Sequence, residues 1–292
     1  MDRQDFIGGS DVAAVLGQSR WKTPLQLWAE KTGEVEPKDL SGIEAVELGT
    51  DLEDFCAKRF ERKTGFPVRR TGSTYVHKVH QFMRCQVDRL LTGTDYLLEV
   101  KTCSAWKEKE WSGDEVPAEY ILQVQWQLMI TGKTLGYICV LIGGQKFLYK
   151  EIHPDQELHD MMKERAIAFW KMVEDRTPPS AMLGDDDVLL SLHPRSNNEI
   201  QMIQEKNDQI RHLQELKMHI KELEEQKDGI EVQLKDIIGD NLGIKTSEYC
   251  VKWTPMEQSR VDVEKLKADG IYDLYKKTSG SRRLTVTKNK GD

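Results

Sequence analysis

Apolar and polar positions follow two regimes along this chain. Up to about residue 175, short runs with strand period alternate with runs of helical period; beyond it a long, mostly polar stretch carries a narrow apolar seam. The clearest strand signal is residues 84–101, which read as two short strands joined by a Gly-containing turn. In the second strand Tyr96, Leu98 and Val100 point to one face, and Leu97, Glu99 and Lys101 to the other. Residues 134–142 are apolar throughout, which predicts a central buried strand, and Gly143-Gly144 turns it back through 145–152 as a hairpin. Residues 66–83 read as strands around a turn. Helical period marks residues 43–65, where Leu48, Leu52, Phe55, Cys56, Ala57 and Phe60 form a stripe closed by Gly65. Three further helices are predicted. One lies within 21–33 and begins after Pro24 with Leu25, Leu27 and Trp28 inward, one spans 119–131, and one spans 155–175 with Phe169 and Trp170 as anchors.

The second regime begins where Thr177-Pro-Pro-Ser and Gly184-Asp-Asp-Asp interrupt the pattern, as a linker would. One helix is predicted over 198–238, about 60 Å long. Its apolar residues are Ile200, Ile203, Ile210, Leu213, Leu216, Ile220, Leu223, Ile230, Leu234 and Ile237, with Lys227 as a gap and a phase shift near Ile210–Leu213. That is an imperfect coiled-coil seam, or a long helix packed once against its own domain. The tail reads as short strands at 243–253 and 283–287 around a helix at 262–268. It ends in a basic patch of Lys276, Lys277, Arg282, Arg283, Lys288 and Lys290. The expected domains are therefore 1–180, a linker at 181–198, a long helix at 199–240 and a small basic module at 241–292.

At 292 residues there is room for one large domain plus an appendage, or for two domains. No run of about 18 apolar residues suggests a membrane span, and the first residues are too polar for a signal peptide. Five scattered cysteines without C-x-x-C spacing fit reduced thiols in a cytosol and argue against zinc or an iron–sulfur cluster. A net charge of −7 counts against a nucleic-acid partner, unless an acidic exterior hides a local basic groove.

The candidate chemistry lies on the strand at 96–101. Glu99 and Lys101 stand side by side, and Asp88 can reach them from the neighbouring strand. Two close carboxylates call for a cation between them, and oxygen-only ligands favour Mg²⁺ or Mn²⁺. Beside such a metal Lys101 could orient or deprotonate a water, or stabilise charge developing on phosphorus. The plain alternative is an edge strand with solvated charges and a surface ion pair. Other candidates have plain alternatives too. Arg3 and Ser10 flank a Gly8-Gly9 turn at a helix start that could take an anion, or could be a simply capped helix. Glu53 lies next to its helix stripe and could support a metal or be solvated. Tyr120, Gln123 and Gln127 share a helix face that meets something polar or faces water.

Five segments carry a resemblance when taken together and in order. They are Arg3-x(6)-Ser10 with its Gly-Ser-Asp turn, Leu48-Gly-Thr-Asp-Leu-Glu53, Val87-Asp88, Leu98-Glu99-Val100-Lys101-Thr102, and Gln123-Val-Gln125. Over residues 3–150 the chain resembles the YqaJ-like viral recombinase nucleases, relatives of phage lambda exonuclease in the PD-(D/E)xK superfamily. The resemblance implies an α/β fold, a mixed central sheet flanked by helices, here followed by a helical arm and a small α+β tail. It implies Asp88, Glu99 and the Val100 carbonyl as metal ligands, with Glu53 contributing directly or through water. Lys101 would position the attacking water, Gln123 would help hold the site, and two Mg²⁺ (or Mn²⁺) ions would assist in-line hydrolysis. Arg3 and Ser10 match residues that grip a 5′-phosphate. Gln86 stands where lambda exonuclease has a serine in that pocket, which leaves strict 5′-phosphate dependence open. The implied activity is 5′→3′ degradation of double-stranded DNA in phage recombination, feeding a single-strand annealing protein, with a ring trimer as the implied assembly. A nicking or structure-specific endonuclease and a non-catalytic DNA-binding scaffold are the alternatives.

Overall fold

The computed structural model describes residues 3–277 and 281–287. The chain forms two compact units that part after His193.

In the first unit, a 3-10 turn at Arg3–Asp5 precedes helix α1 (Val12–Val15) and helix α2 (Pro24–Lys31). Thr23 and Gln26 close a reciprocal capping box at the start of α2, and the proline expected to precede the helix is its first residue. Helix α3 (Glu44–Thr64) ends at Gly65 in the left-handed region. Strands β1 (Val68–Arg69), β2 (Thr74–Val76), β3 (Arg84–Gln86), β4 (Arg89–Leu91) and β5 (Tyr96–Cys103) follow. Then come a 3-10 helix at Ala105–Trp111, helix α4 (Ala118–Thr131), strands β6 (Leu135–Ile142) and β7 (Lys146–Ile152), and helices α5 (Gln156–Glu174) and α6 (Asp186–Leu192).

The main sheet has the order β1-β4-β5-β6-β7, and β2 with β3 forms a separate ribbon. Only β5 and β6 are parallel, because α4 carries the chain back between them; the other pairs are antiparallel. The sheet is therefore mixed and flanked by helices, as the resemblance implies. Every residue of β6 is buried, as expected for its unbroken apolar run. The alternation in β5 separates two cores. Leu98 and Val100 join Cys56 and Phe60 of α3, while Leu97 joins Val124 and Leu128 of α4. Helix α4 lies so close to the sheet that a Cβ on Gly136 would come within 2.5 Å of Val124 Cγ1. The stripe predicted for α3 holds only in its second half: Cys56, Ala57 and Phe60 are buried, but Leu48 and Phe55 are about half exposed.

The stretch expected as a linker at 181–198 is not a free connector over its first part. Asp185 is buried, takes the Met182 N–H at 2.7 Å, and accepts the Thr23 hydroxyl; Gly184 accepts Gln26 at 2.8 Å. Val188 of α6 joins the core around Leu25 and Phe169. These contacts tie the chain to the first unit as far as His193.

In the second unit a 3-10 turn at Gln204–Lys206 leads into helix α7 (Asn207–Ile238), whose 32 residues span about 48 Å. The helix expected from residue 198 thus starts nine residues later. Asn198 adopts φ 62°, and Ser196 and Asn197 side chains accept the N–H groups of Asn198 and Glu199, a local pattern that competes with helix. Strands β8 (Gly243–Lys245) and β9 (Cys250–Lys252) pair antiparallel, and short helices α8 (Val263–Ala268) and α9 (Tyr272–Tyr275) follow. The strand expected at 283–287 is irregular, and Lys288 and Lys290 of the basic patch lie outside the described residues. Among the described residues no helix is long and apolar enough to cross a membrane.

Candidate active site

Strand β4 pairs with β5 only through Arg89↔Leu98 and Leu90↔Leu97. One residue earlier the chain peels away, and the Asp88 carboxylate takes over the edge by accepting the Val100 N–H at 2.8 Å. A residue in an extended strand turns its N–H and C=O to the same side, so the Val100 carbonyl faces that edge too. Glu99, 2% exposed, projects from the opposite side of the pleat from Val100, towards α4. Its Oε1 accepts Lys101 Nζ at 2.6 Å and Gln123 Nε2 at 2.5 Å, and its Oε2 accepts Gln127 Nε2 at 2.6 Å. Lys101 Nζ also donates to Gln123 Oε1 at 2.9 Å and lies 5.1 Å from the Tyr120 ring centre. The Tyr120, Gln123 and Gln127 face therefore meets the charged pair on β5 rather than water.

Burial, and after it the negative charge of Glu99, push the Asp88 carboxyl up to about 7. For Lys101 burial acts downward, but the Glu99 carboxylate outweighs it and the ammonium is held above its usual range. The site thus holds one firmly protonated cation against two carboxylates, and its second carboxylate titrates near neutrality. That donor set suits a hard divalent ion: Asp88, Glu99 and the Val100 carbonyl are all oxygen donors, and Mg²⁺ ordinarily keeps several waters. Among the described residues no cluster of three His, Cys, Asp or Glu could hold a metal, so the remaining positions would fall to the carbonyl and water. Burial pushes the Cys85 thiol up to about 12 and the Cys56 thiol to about 11, so neither offers a thiolate at neutral pH.

A family model for the YqaJ-like viral recombinase domain matches residues 1–134. The Bacillus subtilis (strain 168) protein YqaJ is 36% identical over 297 residues, an alignment covering 98% of this chain and 92% of that one. The chain belongs to the YqaJ-like viral recombinase family. Among solved structures it is similar to an alkaline exonuclease, LHK-Exo, from Laribacter hongkongensis. The TM-score is 0.52 at 21% identity, over 60% of this chain and 90% of that one. A complex of LHK-Exo with dAMP matches at 23% identity and the same TM-score. At such identities the likeness speaks for the fold.

The other expected residues of this YqaJ-family protein are distributed unevenly around that centre. Glu53 is engaged elsewhere: its Oε1 accepts the buried Arg89 guanidinium and, at 3.1 Å, Arg70. Arg89 also holds Asp54 and the Asp88 carbonyl, so the arginine links α3 to the backbone of the site. The Gln86 side chain is exposed and donates to Thr74 Oγ1 at 3.3 Å, while its carbonyl accepts Gln127 Nε2 at 2.9 Å. Gln125, two residues from Gln123, faces away and serves a separate network with His159, His153 and the Asp155 N–H.

Arg3 and Ser10 are both exposed. The turn carrying Ser10 abuts the site, for a Cβ on Gly9 would lie 3.4 Å from Gln123 Cγ. The helix start expected there is poor as an anion site. Helix α1 has four residues, and the Asp11 carboxylate beside it already accepts Gly8 N–H at 3.0 Å and Lys31 Nζ at 2.8 Å. The residue that the sequence reading underused is Gln127. It is fully buried, it holds Glu99 and the Gln86 carbonyl together, and its own Oε1 has no partner. Its spacing of four from Gln123 is the signal that points to it.

Proposed function

We propose that this protein is a Mg²⁺-dependent deoxyribonuclease of phage type, a 5′→3′ exonuclease on double-stranded DNA that acts with a single-strand annealing protein. The observation that carries the reading is the buried Glu99, gripped by Lys101, Gln123 and Gln127 beside the Asp88 carboxylate at an opened sheet edge. Membership of a viral recombinase family and a fold shared with an alkaline exonuclease point the same way. Asp88, Glu99 and the Val100 carbonyl would hold the divalent ions, two of them by the resemblance, with Glu53, whose Oε1 is held by Arg89, contributing directly or through water. When bound, such ions stabilise negative charge on the attacking and leaving oxygens and lower the pKa of water.

The chain's own groups do the rest. Lys101 stays charged, so it orients water and faces the phosphoryl oxygens as a cation rather than taking a proton. Gln123 and Gln127 fix both Glu99 oxygens, so the carboxylate needs no reorganisation when substrate arrives. Arg3 and Ser10, on the segment that abuts Gln123, are the proposed 5′-phosphate contacts, with Gln86 a marginal third. Double-stranded DNA and a ring trimer complete the reading.

The deciding experiment offers end-labelled linear and closed circular duplexes with and without Mg²⁺. Progressive loss from 5′ ends supports the reading; cutting of circles would replace it with an endonuclease, and no cutting with a DNA-binding scaffold. Arg3→Ala should slow digestion of 5′-phosphorylated ends several-fold more than of 5′-hydroxyl ends, measured side by side.

A further inference from the structure

Tryptophan usually buries its ring, and in the first unit Trp28, Trp111 and Trp126 do so. Trp21 and Trp106 do not: they are 71% and 94% exposed. Both belong to segments that border the proposed active site. Arg20 donates to Glu119 at 2.6 Å and to Glu110 at 2.9 Å, which ties the loop before α2 to the start of α4 and to the 3-10 helix at Ala105–Trp111. The residue after Glu119 is Tyr120, whose ring lies under Lys101 Nζ and stacks on Trp111 at 5.7 Å. Trp21 thus follows the residue that anchors its loop to Glu119, and Glu119 precedes the residue whose ring lies under Lys101. Lys107 Nζ lies 5.0 Å from its ring centre, and Lys109 follows two residues on. The acids of these segments are each engaged: Glu110 and Glu119 share the Arg20 guanidinium, and Glu108 is paired with Lys146 at 2.6 Å.

An exposed indole with an ammonium on one face and no free carboxylate beside it suits a nucleobase on a phosphate-bearing strand. We infer that Trp21, seconded by Trp106, is a base-stacking platform that holds an unpaired nucleotide of the strand whose backbone enters the Asp88–Glu99–Lys101 site. This rests on the nuclease reading for its location, and it adds the class of contact that site makes next to the scissile phosphate. Stacking tolerates every base, so the platform would grip single-stranded DNA without sequence preference.

The test uses the full chain in EDTA, where binding is read without cutting, and a fluorescently labelled oligothymidine followed by anisotropy. Trp21→Ala should raise Kd about tenfold, the size of one lost base–aromatic stack. Trp21→Phe should stay near wild type, and Trp106→Ala should give a smaller rise. On an abasic strand of equal length, which offers phosphates without bases, the Trp21→Ala penalty should vanish. Unchanged oligothymidine binding by Trp21→Ala, an equal penalty on the abasic strand, or a wild type that does not bind would each overturn the platform. Wild-type cleavage with Mg²⁺ judges the nuclease reading separately. Cleavage with indifferent tryptophans removes the platform alone, and base-dependent binding without cleavage removes the nuclease reading alone.

Discussion

Helix α4 carries three glutamines into the interior of the first unit, whereas helix α7 leaves a row of isoleucines and leucines on the surface of the second. Each departs from the usual sorting of polar and apolar side chains, in opposite directions. On α4 the departure has a local answer. Gln123 and Gln127 are spent on the two oxygens of Glu99, and Gln125 on His159 and the backbone at His153 and Asp155. On α7 Ile220, Leu223, Ile230 and Ile237 are each more than half exposed, and nothing among the described residues answers them. A buried polar group with partners identifies a site from within the chain. An exposed apolar seam states only that a partner is wanted.

The strongest way to break the first half of that contrast is to remove what the glutamines hold. Glu99→Ala should abolish Mg²⁺-dependent cleavage. Lys101→Ala should slow it by about 10²–10³, typical for a lost electrostatic contact, while metal binding by calorimetry persists. Near wild-type rates for both variants would make the pair a buried structural ion bridge. A tenfold to hundredfold loss, of the order seen when a partner behind a ligand is removed, is expected for Gln127→Ala. Gln125→Ala is the matched control on the same helix: it should lower the melting midpoint and leave cleavage by the folded protein intact. If Gln125→Ala costs as much activity as Gln127→Ala, the two faces of α4 are not functionally distinct.

A smaller effect sharpens the electrostatic side. In the fold Asp88 holds its proton up to about 7, against an ordinary 3.8. Stability from this protonation is complete below about pH 4 and is lost as pH rises through 7, because the unfolded chain releases the proton first. At pH 8 without metal, Asp88→Asn should therefore melt a few degrees above wild type, and the gap should close at pH 4. Mg²⁺ should raise the wild-type midpoint and leave Asp88→Asn where it was. A variant less stable than wild type at pH 8 would mean that the carboxylate is not strained there.

How much of this was legible in the sequence depends on the range over which each feature is decided. The alternation of 96–101 assigned Leu97 and Leu98 to opposite cores, and the all-apolar run at 135–142 marked the central strand, because side-chain period is local. Pro24 marked the start of α2 to within a residue for the same reason. Asp185 read as one of three acids in a polar linker, yet it is buried because Thr23, some 160 positions earlier, reaches it. Glu53 read as a helix carboxylate near the stripe; its capture by Arg89 depends on where β4 runs beneath α3. The spacing of Gln127 from Gln123 records the shared helix face, but the Glu99 carboxylate it meets follows from the crossing of α4 over β5.

The smallest expected effect sets the two helices apart most directly. All three hydrophobic clusters draw their members from residues up to 192, and every proposed catalytic or metal-binding group lies before residue 130. A chain ending at His193 should therefore fold, melt within a few degrees of the full protein, and cleave with Mg²⁺ at low salt at a similar rate. A chain ending at Ser180 should do worse, since it loses Asp185, which caps the Met182 turn and takes the Thr23 hydroxyl, and Val188, which fills the core beside Leu25. The cost of that second cut is that of a buried hydrogen-bond partner plus a core valine, roughly 2–4 kcal/mol. The remaining difference between the His193 chain and the full protein should appear in assembly or in DNA affinity, if α7 and the lysine- and arginine-rich tail act there. Contacts from that tail to phosphates would fade steeply with added salt, so the two proteins should converge in affinity as salt rises. A His193 chain that folds and binds metal but cuts no DNA at any salt would place the exposed seam of α7 inside the catalytic machine, and the contrast between the two helices would then be one of assembly order rather than of function.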